Sequence, residues 1–289
     1  MLNFTRFFSS KARYRMLDRP IFIWGSPRSG TTLLYQLIAK HLDVGYPSDN
    51  EKKMLEGTGF WWRVFGEHRG IMDTSLAHPK SIRQINYEYK MLLKEQDKSR
   101  LLDKIPFMTL WIQLVNEAFP DARHFHIIRD GRAVVNSILY KLRYSKKEKD
   151  QRFREEKLLY GPKPPKLINP MSQPQAQRHA RQWMLLVEYG RRNAKILGER
   201  YWEMRYEDLV NAPRSAMKAV LDHAQLTYDE RFIARVYPEK LENQNYKWKS
   251  DKSDMRSNRF TAHSAIEFEH ILYLKEMDPL LCSLGYKVS

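Results

Sequence analysis

The chain has 289 residues, enough for one large domain or two small ones, and 42% of them are apolar, which places it among globular rather than disordered proteins. Its 50 Lys and Arg against 34 Asp and Glu leave a net charge of +16, a balance that favours anionic partners such as a nucleotide, nucleic acid, acidic glycan or anionic lipid. The lone Cys282 excludes an internal disulfide and any cysteine-cluster metal site, and no run of about 18 apolar residues exists to span a bilayer.

Residues 1–19 mix Phe4, Phe7 and Phe8 with Arg6, Lys11, Arg13 and Arg15, without the continuous apolar centre of a signal peptide. A solvated N-terminal arm is expected here, with peripheral membrane contact as the alternative. The apolar run 21–24, bounded by Pro20 and Gly25, predicts a buried strand, and Leu33, Leu34, Leu37 and Ile38 follow at helical spacing. Residues 46–70 read as irregular and aromatic, and 81–93 as a helix. Leu101 and Leu102 lead into a strand end closed by Pro106, after which 107–119 reads as a helix. Residues 124–128 form a second buried-strand candidate, which makes His124 and His126 structural on this reading. Asp130 is placed to cap a helix starting near Gly131 and carrying Ala133, Val134, Ser137 and Ile138.

Residues 141–175 read as a basic, proline-rich insertion. Between 141 and 166 it holds 10 Lys and Arg against 4 Asp and Glu, the composition of a solvated segment or of a guide for an acidic substrate. Ala180, Trp183, Met184, Val187, Ala194 and Leu197 mark one apolar face of a long helix. A strand over 201–206, a helix over 216–226, a polar basic stretch over 243–259 and a terminal helix over 270–284 complete the chain. Trp61, Trp62, Trp111 and Trp183 read as core. Strands alternating with helices imply an α/β fold, a central parallel sheet flanked by helices, with ligands beyond the carboxyl ends of its strands.

Two motifs carry chemistry. The strand 21–24 runs into Gly25-Ser26-Pro27-Arg28-Ser29-Gly30-Thr31-Thr32, which opens a helix. Backbone N–H groups and a helix N-terminus there can cradle an anion. The glycine spacing matches an ATP-binding loop, but Thr31 stands where that loop needs lysine, and the cation is Arg28. Such a loop suits a 5′-anion without a triphosphate. In the second motif Arg129 ends a strand, and Ser137 lies about two turns along the following helix, so a guanidinium and a hydroxyl can grip a further phosphate. Together they suggest an adenosine ligand with a 5′-anion and a separate 3′-phosphate.

At these residues the chain resembles the sulfotransferases. The 27–32 loop is similar to their 5′-phosphosulfate loop, and Arg129 through Ser137 to their 3′-phosphate site. Asp103-Lys104-Ile105-Pro106-Phe107 is similar to the lysine motif of the bacterial and protein-tyrosine branches, and Arg205-Tyr206-Glu207-Asp208-Leu209 to a recurrent later segment. The resemblance covers roughly residues 20–226. It implies a P-loop-type three-layer fold in a single domain, 1–289, with 3′-phosphoadenosine 5′-phosphosulfate as co-substrate, adenosine 3′,5′-bisphosphate as product, and no metal. It further implies that Arg28, Ser29, Gly30, Thr31 and Thr32 hold the 5′-phosphosulfate and that Arg129 and Ser137 hold the 3′-phosphate. Tyr206 then faces the adenosine or 3′-phosphate side, and Lys104 stabilises the bridging oxygen or the sulfuryl group in transfer. The resemblance to the protein-tyrosine and bacterial branches further implies a glutamate as general base, Glu56 or Glu51, with Glu56 favoured because it precedes Gly57-Thr58-Gly59-Phe60-Trp61, glycines and aromatics suited to an acceptor pocket.

The cytosolic relatives' Arg-Lys-Gly element is missing here. Lys247, Lys249, Lys252 and Arg256 are candidate substitutes over the 3′-phosphate, Lys249 first among them. The acceptor stays open among a glycan, a glycolipid, a phenol and a tyrosine-like or acidic group, and a cytoplasmic enzyme is expected. Two alternatives stand beside this reading. A P-loop kinase or NTPase lacks its loop lysine, and no nucleic-acid-binding motif accompanies the positive charge of a non-enzymatic anion binder.

Overall fold

A computed structural model of the chain describes residues 17–49, 53–66, 70–144, 175–237 and 275–288. Five parallel strands form one sheet in the order β2-β3-β1-β4-β5: β1 Ile21–Trp24, β2 Val44–Gly45, β3 Arg100–Lys104, β4 Arg123–Ile128 and β5 Tyr201–Arg205. In register, Ile23 lies beside Lys104 on one side of β1, and Trp24 lies beside His126 on the other. The chain leaves β1 toward β2 and β3, then crosses to β4 on the opposite side. That reversal opens a crevice at the carboxyl end of β1, the usual ligand position in such sheets.

Alternation along β1 builds two of the cores. Ile21 and Ile23 face α1 (Thr31–Ile38) and the later helix Pro213–Ala224, through Leu34, Leu37, Val220 and Leu221. Phe22 and Trp24 face the opposite layer, with α2 (Thr58–Phe65), α3 (Pro79–Gln96) and α4 (Ile112–Ala118). Helices therefore cover both faces of a sheet whose β1 is wholly buried, and each fully buried large side chain contributes roughly 1.5–3 kcal/mol. A third core joins α5 (Gly131–Tyr144), α6 (Gln175–Asn193) and the C-terminal segment, through Val134, Ile138, Trp183, Val187, Met277 and Leu281.

Several elements depart from the sequence reading for local reasons. Residues 46–70 contain α2, because Trp61 and Phe65 one turn apart give Thr58–Phe65 a buried stripe. β2 has only 2 residues, too few for any period to register. The helix expected over 107–119 is broken at Trp111 into a 3₁₀ segment, Pro106–Leu110, and α4. Strand β5 stops at Arg205, and Tyr206 opens a short helix, Tyr206–Asn211. Trp61, Trp111 and Trp183 are core, whereas Trp62 is exposed on the outer face of α2. Within the C-terminal segment, helix Asp278–Ser283 is followed by Gly285 at φ 76°. Most of the N-terminal arm, the greater part of the 141–175 insertion and all of 243–259 lie outside the described residues. Among the described residues no helix is long and apolar enough to cross a membrane.

Candidate active site

The loop after β1 turns tightly. Ser29 N–H donates to Ser26 O at 3.1 Å, Arg28 sits in the left-handed region at φ 72°, and Leu34 N–H donates to Gly30 O at 3.2 Å as α1 begins. A non-glycine residue at positive φ is uncommon and marks a locally imposed geometry. Gly30 has φ 97°, and a Cβ there would lie 2.3 Å from Tyr206 Cδ2, so the loop admits no side chain beneath the Tyr206 ring. No acidic residue occupies the first turn of α1 and no side chain caps it, which leaves its positive end available to an anion. Thr31 is buried and Thr32 half-buried at that end. Ser29 is fully buried, and its Oγ has no hydrogen-bond partner among the described residues. An orphaned buried hydroxyl inside an amide-lined loop fits a site built for an anion.

Arg129 follows the end of β4 and is buried. Its guanidinium lies 4.6 Å from the Tyr206 ring centroid, and its Nη1 donates to Arg28 O at 3.3 Å. From the other side, Arg28 Nε donates to Ser137 Oγ at 3.0 Å. Residues 109 positions apart in sequence thus join the two anion motifs into one constellation, Arg28–Ser137 and Arg129–Tyr206. Burial raises the Tyr206 phenol above its ordinary pKa, with Arg129 and Arg28 pulling the other way, so the ring stays neutral.

The turn bearing Arg129 is braced from behind. Asp130 Oδ1 accepts from Arg132 N–H at 2.9 Å, which caps the start of α5. Glu207 Oε1 accepts from Asp130 N–H at 3.1 Å, and its Oε2 accepts from Tyr286 OH at 2.8 Å. Arg132 Nη2 donates to Lys287 O at 2.8 Å. Glu207 and Tyr286 were not legible as parts of the site. Glu207 directly follows Tyr206, but Tyr286 arrives from the C-terminus with no motif to announce it.

Beside the loop, Lys104 ends β3 and its Nζ lies 2.5 Å from Glu56 Oε1. The Lys104 side chain is 5% exposed and that of Glu56 is 43% exposed, so the pair spans the border between interior and solvent. Asp103 is fully buried behind them. Its Oδ1 accepts from Gly57 N–H at 2.8 Å and from Lys104 N–H at 2.7 Å, and its Oδ2 accepts from Tyr89 OH at 2.5 Å. Burial pushes the Asp103 carboxyl up to about 6, against the pull of those hydrogen bonds. Of the two candidate bases, the structure brings Glu56 onto Lys104, and Glu51 lies outside the described residues. Lys249 lies outside them as well.

His124 and His126 are both fully buried on β4, where burial pushes each imidazole down to about 3. His126 stacks on Trp24 with ring centroids 4.3 Å apart, and its Nδ1 lies 2.9 Å from Tyr201 OH. Neutral and enclosed, both belong to the core. Among the described residues, no group of three or more His, Cys, Asp or Glu side chains could hold a metal ion.

The strand-end loop, the second anion cluster and the Glu56–Lys104 ion pair all lie at the carboxyl ends of adjacent parallel strands, the place where sheets of this α/β class take their ligands. A model of the sulfotransferase family matches residues 20–230, so the chain belongs to that family. Over 123 residues it is 30% identical to protein-tyrosine sulfotransferase A of Caenorhabditis elegans, a stretch covering 41% of this chain and 32% of the worm protein. Over 125 residues it is 31% identical to the protein-tyrosine sulfotransferase of Drosophila melanogaster, covering 41% of this chain and 25% of the fly protein. The matched stretches therefore span well under half the length of these curated relatives. Among solved structures, a sulfotransferase from Mycobacterium avium superposes with TM-score 0.54 at 13% identity, covering 95% of this chain and 79% of that one. The sulfotransferase domain from the curacin biosynthetic pathway superposes with TM-score 0.53 at 17% identity, covering 95% of this chain and all of that one. These two share the fold.

Proposed function

We propose that this chain moves the sulfuryl group of 3′-phosphoadenosine 5′-phosphosulfate to an acceptor hydroxyl by in-line displacement. The observation that carries the reading is the joining of two anion-ready clusters, the 25–32 loop and Arg129 with Ser137, through the Arg28–Ser137 hydrogen bond of 3.0 Å. Two clusters side by side suit a nucleotide with negative charge at both its 5′ and 3′ positions. In this reading the loop amides, Ser29, Thr31 and Thr32 hold the 5′-phosphosulfate, and Arg129 and Ser137 hold the 3′-phosphate. Tyr206 packs between the two, and Lys249 covers the 3′-phosphate.

The acceptor oxygen attacks sulfur, the bond from sulfur to the bridging oxygen breaks, and adenosine 3′,5′-bisphosphate departs. Glu56 takes the acceptor proton, and proton transfer of this kind typically contributes about 10²–10⁴-fold. Lys104 and Arg28 neutralise charge that builds on the bridging oxygen. Support for the two roles comes from placement: the Lys104 ammonium is held inside, and the Glu56 carboxylate opens to solvent, where an acceptor arrives. The same reading takes 1–289 as one catalytic unit with an N-terminal arm and a 141–175 insertion, working in the cytoplasm on a glycan, glycolipid, phenol or tyrosine-like acceptor.

Mass spectrometry of an acceptor panel incubated with the donor tests the proposal. It expects a sulfuryl adduct formed with adenosine 3′,5′-bisphosphate in equal amount, in the presence of a chelator. Thermal stabilisation by magnesium-ATP, with none by the bisphosphate, would overturn it.

A further inference from the structure

We infer that Asp103 is a positioning residue that fixes Glu56 and Lys104 opposite one another through a single carboxylate, an inference that rests on the roles given to those two residues above. Asp103 is shut off from solvent. Its Oδ1 instead receives the backbone N–H of Gly57, the residue after Glu56, at 2.8 Å, and that of Lys104 at 2.7 Å. One oxygen thereby ties the turn that carries the carboxylate to the strand end that carries the ammonium. The other oxygen is locked by Tyr89 OH at 2.5 Å, and Tyr89 in turn accepts from Trp61 Nε1 at 2.9 Å. Tyr89 and Trp61 are fully buried and belong to α3 and α2, so the rigid layer beneath the site sets the carboxylate's orientation.

Two further observations favour a positioning role over simple packing. A wholly buried carboxyl is costly in this setting, and an apolar side chain would fill the same space without that cost. The approach of the turn is also as close as the chain allows: a Cβ on Gly57 would lie 1.8 Å from Asp103 Oδ2. Only glycine permits the 2.8 Å bond, and that bond sets how far the Glu56 turn stands from β3.

Crystal structures of Asp103→Ala, Asp103→Asn and Gly57→Ala with adenosine 3′,5′-bisphosphate test the inference. They are paired with kcat and KM for 3′-phosphoadenosine 5′-phosphosulfate, with para-nitrophenol as the probe acceptor. In Asp103→Ala and Gly57→Ala the Glu56–Lys104 contact should open beyond the ion-pair limit of about 4 Å. Their kcat should fall by about 10- to 100-fold, the scale of a misplaced catalytic group. Donor KM and bisphosphate affinity should stay within about twofold, because the anion loop is untouched. Asp103→Asn keeps an acceptor oxygen for both amides and should restore most of kcat. Placed in a Glu56→Ala background, Asp103→Ala should add much less than its full loss, only what a displaced Lys104 costs.

A closed Glu56–Lys104 contact in both alanine variants, or a full additional loss on top of Glu56→Ala, would overturn the inference. Normal turnover in Glu56→Ala, or no transfer by the wild type, would instead overturn the functional reading, and the crystal structures would still decide whether Asp103 holds the pair. If Asp103→Ala does not fold, Gly57→Ala, which keeps the Asp103 and Tyr89 side chains in the chain but forces the turn and the carboxylate apart, decides alone.

Discussion

Replacing Arg129 with alanine separates the two ends of the proposed nucleotide. In the structure its guanidinium is buried, lies 4.6 Å from the Tyr206 ring and donates to Arg28 O at 3.3 Å. A charge-assisted hydrogen bond to a phosphate is worth about 1.5–3 kcal/mol, and a guanidinium can make two in parallel. Part of that gain is offset by the contacts with Tyr206 and Arg28 that the side chain already makes. A net loss of about 2–3 kcal/mol corresponds to roughly 30- to 150-fold in Kd. The assay is isothermal titration at fixed ionic strength, with adenosine 3′,5′-bisphosphate and adenosine 5′-monophosphate as paired ligands. Arg129→Ala should weaken the bisphosphate by that factor and the monophosphate by no more than about threefold, because the 5′ loop does not depend on a 3′ charge. Equal weakening of both ligands would mean that Arg129 only props up the loop, and no weakening of either would remove it from the site.

Glu56→Gln should slow turnover by about 10²–10⁴-fold at unchanged bisphosphate affinity, as measured by product formation alongside titration. Ser29→Ala removes a hydroxyl that has no partner among the described residues, so denaturant unfolding should show a change within about 0.5 kcal/mol while nucleotide affinity drops several-fold. Asp103 is raised by burial from 3.8 to about 6 in the native state, so the folded protein holds its proton more tightly than the unfolded chain does. Stability relative to Asp103→Asn should therefore fall as pH rises from about 4 to about 6, with a slope approaching 1.4 kcal/mol per pH unit, read from urea melts across that range. His126 is shifted the other way, from 6.5 to about 3, so the unfolded chain takes the proton first. Relative to His126→Phe, the wild type should lose stability as pH falls below about 6, again read from urea melts.

Much of the site was legible because its chemistry is local. The strand 21–24, the two glycines and the helix start lie within one dozen residues, and both short-range pattern and loop composition report them. Arg129 and Lys104 were legible as polar residues closing apolar strands. The link between Arg28 and Ser137 was not, since no periodicity relates positions 109 apart. Asp103 carries no signal of its own, because a single acid inside a strand reads as part of the lysine motif, and only the fold shows Gly57 and Tyr89 converging on it. The α2 helix was hidden among residues whose aromatic content outweighs their spacing, and β2 is shorter than any period. Tyr286 reaches Glu207 through the C-terminal segment, a tertiary contact without a sequence signature.

A crystal structure of the chain with adenosine 3′,5′-bisphosphate locates both ends of the nucleotide at once. The 5′-phosphate should lie on the amides of residues 25–32 and the 3′-phosphate within hydrogen-bond reach of Arg129 and Ser137, with Glu56 and Lys104 facing the position vacated by the sulfuryl group. A nucleotide bound elsewhere, or bound with its 3′-phosphate turned away from Arg129, would contradict this placement.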